Sequence, residues 1–232
     1  MPNEKLKQVM KQLEEYGTEQ NRKVYKRHGA KEPLFGVSFA NLNTLKKEIK
    51  KDHELAMALW NTGNMDAQTL ATMIVDPKQF TSEQLDEWIK ASDYYCLIDV
   101  LMSPVSKSSL AMEKMKDWTK SEDEWIGRAG WTLLAHIAMK DKKLEDSFFL
   151  SYLETIENTI HEEKNRKKQA MHSALMAIGL RNDELEKQAI CVAQKIGKVH
   201  IDHGDTSCKT PDAEAYIKKG RDRERNKKEK VK

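Results

Sequence analysis

Four side chains of this sequence have the types and spacing to do chemistry: Tyr95, Asp99, Trp125 and Arg128. Asp99 is the one ionisable residue in the middle of DYYCLIDVLM, residues 93–102, the most apolar short helix the chain encodes. A carboxylate among Leu97, Ile98, Val100 and Leu101 is costly to desolvate, so it must be paired, hydrogen-bonded or open to a cleft. Helical spacing puts Tyr95 one turn before it, so phenol and carboxylate share a face. Two readings stay open: an acid in a cleft, or the wet edge of a helix where Asp99 caps a neighbour.

Arg128 lies within WTKSEDEWIGRAGWTLLAHIAM, residues 118–139. Ser121 followed by Glu124 predicts a capping box, and Ile126, Ala129, Gly130, Leu133, Leu134 and Ile137 form a helical core stripe. Arg128 points away from that stripe, and its neighbours three residues either way are Trp125 and Trp131, followed by Thr132 and Ala135. A cation between two indoles predicts a face that lines a groove, where the guanidinium meets a phosphate or carboxylate. The competing reading is an arginine stacked on tryptophan and paired to an acid as a structural fastening.

A third cluster is the stretch VHIDHGDTSCKTPDAEAYI, where His200, Asp202, His203, Asp205 and Cys208 crowd together. The donor types invite a metal, but no HExxH pattern anchors them. His-Gly-Asp-Thr is also good turn chemistry leading into a helix at Thr210, Pro211 and Asp212. The expectation is an ordered loop from His200 to Asp212 that covers one end of the fold, with no metal and no cofactor.

The elements that must position these residues are helical. With 39% hydrophobic residues, the 232-residue chain can bury a substantial core. Few residues are strong sheet formers, and nearly every segment shows helical periodicity. Helices are predicted over 5–16, 19–28, 38–50, 53–62, 66–75, 81–90, 93–102, 108–118, 118–139, 144–157, 165–179 and 183–196. Helices of this length, recurring in pairs through short turns, predict an all-α solenoid of HEAT or armadillo-like repeats with a concave face.

The net charge is +3, unevenly placed: from Lys218 onward nine basic residues face three acidic ones, so this tail carries +6 and the rest −3. Residues 1–217 are therefore expected to form one repeat domain, and 218–232 a basic tail. Such a tail is either a solvated extension or a loose electrostatic contact with nucleic acid. Cys96, Cys191 and Cys208 are odd in number and widely spaced, which points to reduced thiols. No apolar run is long enough to span a bilayer, and the opening residues lack a signal-peptide pattern. A cytoplasmic monomer that does not engage membranes is expected.

In order along the chain, LAMALWNTG with LATMIVDP, the adjacent aromatics Tyr94 and Tyr95 ahead of Asp99, and WIGRAG resemble the DNA alkylation repair glycosylases built of HEAT-like repeats, the AlkD-like proteins. The resemblance runs over roughly Phe35 to Gly179. It implies a basic concave surface holding duplex DNA, with an aspartate, an arginine and aromatics near the lesion. Carried over residue by residue, these are Asp99, Arg128 and Tyr95. The family's aromatic at Tyr95 is typically tryptophan, and a further tryptophan falls at Ser173, or at His172 with a one-residue shift, which marks a divergent branch.

The expected DNA contacts are Tyr94, Trp125, Arg128, Arg166, Lys167 and Lys168. The resemblance implies an N-glycosylase that excises cationic N3- or N7-alkylated purines from duplex DNA. The alkylated base is already a good leaving group, so the main requirement is stabilisation of oxocarbenium character on the sugar, a task for Asp99 with Tyr95 beside it. Arg128 would hold a neighbouring phosphate. The alternatives are a catalytically silent binder of distorted duplex and a scaffold that binds protein.

Overall fold

The computed structural model describes residues 2–229. Among them are thirteen α-helices, one 3-10 turn and no strand beyond an isolated bridge between Gly17 and Val37. The helices fall into two compact units.

The first unit comprises residues up to Met112 together with 203–207. It contains α1 (Pro2–Tyr16), α2 (Glu19–Arg27), α3 (Phe39–Ile49), α4 (His53–Trp60), α5 (Met65–Ile74), the 3-10 turn Pro77–Gln79, α6 (Ser82–Lys90) and α7 (Tyr95–Val105). Most of these helices start on a side chain that accepts an orphan N–H of the first turn, as at Thr18, Ser38, Asp52, Asn64 and Thr81. α3 packs on α5 and α5 on α7, while α4 packs on α5. Contacts that skip one helix, as α3 with α5 and α5 with α7, are those of stacked helix pairs, the signature of a helical-repeat fold. The core holds Leu42, Leu45, Leu59, Leu70, Leu85 and Ile98, and Trp60 stacks on Trp88 with ring centroids 3.9 Å apart.

The second unit comprises Glu113–Asp202 and Cys208–Lys232. Most of α8 (Ala111–Thr119) belongs to it, with α9 (Glu124–Lys140), α10 (Asp146–Thr159), α11 (Asn165–Gly179), α12 (Asp183–Ile196) and α13 (Ala213–Glu229). α9 packs on α11, α11 on α13 and α10 on α12, the same skip-one pattern. Arg181 secures the end of α9: it donates to the carbonyls of Ala138 (3.0 Å) and Leu144 (2.6 Å) and lies 4.6 Å from the centre of the Phe149 ring. Such a cation suits the negative end of a helix dipole.

Three local expectations are corrected. The capping box at Ser121 and Glu124 does not form. Asp123 is the cap instead, accepting from the N–H groups of Trp125 and Ile126, both at 2.9 Å, while the Glu124 carboxylate accepts the Arg166 N–H at 2.5 Å. α7 does not stop at Met102 but runs through Pro104, because a proline in the last turn removes only one late hydrogen bond. Finally, α13 runs through the expected boundary at 217 and 218. In it Arg221 is buried and paired with Glu186 and Glu224, and Arg221 and Arg225 both reach Asp183. The last three residues of the expected tail, 230–232, lie outside the described residues.

Candidate nucleic-acid interface

In the first unit, α7 carries Tyr95 and Asp99 one turn apart, both half-buried. The Tyr95 hydroxyl is hydrogen-bonded to Nδ1 of His28, just past the end of α2. Nothing local in the sequence marks His28, which lies 67 positions away and reads there as a helix end. Tyr94, expected at the DNA, is 6% exposed. Burial pushes its phenol far above the ordinary value, so it stays protonated. Tyr94 is corrected to a wall of the fold: its ring packs edge-on against Tyr95, with centroids 5.8 Å apart.

Tyr94, Tyr95, Tyr25 and His28 line a half-open cavity of about 200 Å³, with Val37, Phe39 and Met65 on its other sides. The loop carrying Val37 is fixed by Asp66, whose carboxylate accepts the N–H groups of Phe35, Gly36 and Val37 at 2.7, 2.9 and 2.8 Å. Burial pushes the Asp66 pKa up, and these three bonds pull against it.

In the second unit, Arg128 is 4% exposed. Its guanidinium donates to the Arg166 carbonyl at 3.1 Å and to Oε1 of Gln169 at 3.0 Å, joining α9 to α11. These two bonds tie α9 to α11, as the fastening reading of the sequence expects of a buried guanidinium. Trp131 is corrected from groove to core: it is 1% exposed and meets Tyr152 edge-on, because α9 is buried on more of its circumference than one apolar stripe accounts for. Trp125, one turn before Arg128, is half-buried.

The glycines of WIGRAG explain how α9 is held so closely. A Cβ on Gly130 would lie 2.3 Å from the Thr119 nitrogen, so the end of α8 rests on that position. A Cβ on Gly127 would lie 2.6 Å from Cδ of Lys167. Lys167 is therefore corrected as well: at 6% exposure its stem covers Gly127, and its ammonium group bonds to the Ser121 carbonyl (3.0 Å) and Glu163 (2.7 Å). Arg166 and Lys168 remain half-buried on the same helix.

The position matched to the family's second tryptophan divides clearly. Ser173 is exposed, with its hydroxyl donating to the Gln169 carbonyl at 3.1 Å, whereas His172 is buried. The loop from His200 to Asp212 is pinned where Asp202 exchanges two hydrogen bonds of 2.8 Å with the Asn165 side chain. Among the described residues no three His, Cys, Asp or Glu side chains gather to hold a metal, and no helix is long and apolar enough to cross a membrane.

Each unit pairs its helices in the skip-one manner of helical repeats, and comparison with known proteins gives the family. The chain belongs to the DNA alkylation repair enzyme family, whose model matches residues 9–217. It is 31% identical to an uncharacterised protein of Listeria innocua and 30% identical to one of Listeria monocytogenes, in each case over 87% of this chain and 90% of the relative. A solved structure described as a new family of proteins related to the HEAT-like repeat DNA glycosylases, with affinity for branched DNA structures, is 33% identical. It superposes with a TM-score of 0.87 over 95% of each chain.

Proposed function

We propose that this protein binds branched or otherwise distorted duplex DNA through its phosphate backbone, and that recognition rather than base excision is its principal activity. The observation that carries this reading is the state of Arg128. A guanidinium only 4% exposed and bonded across to α11 joins two helices, whereas the excision chemistry needs it at a phosphate beside the lesion. Tyrosine at Tyr95 and an exposed Ser173, where the glycosylases carry indoles, weaken the π surface offered to a cationic sugar in the same direction. The relative with affinity for branched DNA supports the choice of ligand. The test is binding of a four-way junction and a linear duplex of the same sequence, together with release of free base from methylated duplex. Junction preference without base release supports the reading; efficient release overturns it.

A second reading, an N-glycosylase for cationic alkylpurines, is favoured by one specific feature. Asp99 stands half-buried among apolar neighbours, one turn from Tyr95, where a carboxylate could stabilise an oxocarbenium-like sugar without a cofactor. Here Asp99→Asn should abolish release of 7-methylguanine or 3-methyladenine while duplex affinity persists. Equal turnover by the two forms would remove Asp99 from any mechanism.

A further inference from the structure

Helices α3, α5 and α7 of the first unit carry a second feature, separate from Asp99. An open groove of about 570 Å³ runs along α3, α5 and α7, and five lysines line it: Lys46, Lys50, Lys51, Lys78 and Lys107. One carboxylate, Asp76, shares the lining, and it is engaged with Lys51 at 3.2 Å. Val75, Pro77, Val100 and Pro104 give the groove an apolar floor. Five ammonium groups around one acid make a phosphate site of point charges, which holds a backbone without reading sequence.

Two independent observations indicate more than solvated lysines. The first is the backbone at Lys50, which ends α3 at φ 65° and ψ −142°, a region that only glycine enters without strain. α12 ends in the same conformation, φ 63° and ψ −146°, and there the residue is Gly197. The fold itself is therefore served better by glycine at position 50, yet a cation of the groove occupies it. The second is Phe39, the first residue of α3, which is 47% exposed and lines both the groove and the cavity beside Tyr95.

Building on the DNA-binding reading above, we infer that this groove takes a single strand of DNA leaving a branch point, with lysines on its phosphates and Phe39 stacked on an unpaired base. The apolar floor and the exposed ring decide between single strand and duplex. A duplex arm presents phosphate and sugar to its surroundings, whereas unstacked bases need a π face and hydrocarbon.

The experiment is fluorescence anisotropy with three labelled probes: a forked duplex with one single-stranded arm, the free single strand, and a blunt duplex of the same sequence. Phe39→Ala and the double variant Lys46→Ala with Lys107→Ala should each lose about tenfold affinity for the fork and the single strand, with a much smaller change on blunt duplex. Removal of two exposed lysines elsewhere, Lys90→Ala with Lys142→Ala, controls for net charge. Lys50→Gly separates stability from binding, because it should raise the thermal midpoint while weakening the fork complex.

If the groove variants bind the fork as wild type does, or lose no more than the charge control, the inference is overturned while junction binding by the protein stands. If wild type binds none of the probes, both readings fall.

Discussion

Arg128 shows how far one residue's role depends on what lies across from it. Its flanking tryptophans and its place opposite the core stripe are legible in the sequence, but two of its acceptors, the Arg166 carbonyl and Gln169, lie 38 and 41 positions away on another helix. No local pattern can reveal such a partner, and the same limit hid His28 behind Tyr95. Because the guanidinium is a structural tie, Arg128→Ala should lower the unfolding free energy by about 2–4 kcal/mol in urea titration. Arg128→Lys should recover only part of this, since an ammonium group lacks the planar fork. His172 supplies a pH dependence at the same scale. Burial lowers its pKa below the ordinary 6.5, with Asp212 pulling weakly the other way. The unfolded chain then binds the proton more readily than the folded one, so this contribution to stability is full above about pH 6.5 and is lost as pH falls towards the folded value. His172→Gln should flatten the stability profile on that acidic side; an unchanged slope would show that other groups set it.

At the level of elements, helix existence and many starts were open to reading, because capping is local. Ser38 and Thr81, where two of the predicted helices begin, cap α3 and α6, and α11 and α12 begin and end where their periodicity does. What sequence pattern could not supply was the use made of small residues. Gly127 and Gly130 look alike in WIGRAG, but one faces a lysine stem and the other faces backbone. Gly130→Ala should therefore be severe, on the order of 3 kcal/mol or more, because a helix end must move. Gly127→Ala should cost only about 1 kcal/mol, since the Lys167 stem can shift aside. Thermal unfolding of the two variants checks this ordering, and equal losses would contradict the packing described. The C-terminal helix makes a related point: a run counted as +6 in the sequence spends Arg221 and Arg225 on Asp183 and Glu186, so formal charge overstates what is available to a ligand.

For the whole molecule, the all-helical repeat fold and the family were within reach of the sequence, because periodicity and ordered motifs survive divergence. The site was only partly so. Asp99 and Tyr95 share a helix face as their spacing requires, whereas Tyr94, Trp131 and Lys167 are buried. Five lysines of the first unit line the groove over α3, α5 and α7, three of them already visible in the run LKKEIKK, which is silent about its partners in space. DNA binding that rests on such phosphate contacts should weaken steeply with added salt, in proportion to the number of contacts made.

The most direct measurement is competition between a four-way junction and a linear duplex of identical sequence for the wild-type protein at fixed moderate salt. The account predicts that the junction displaces the linear duplex at clearly lower concentration. Equal competition by the two DNAs would contradict it.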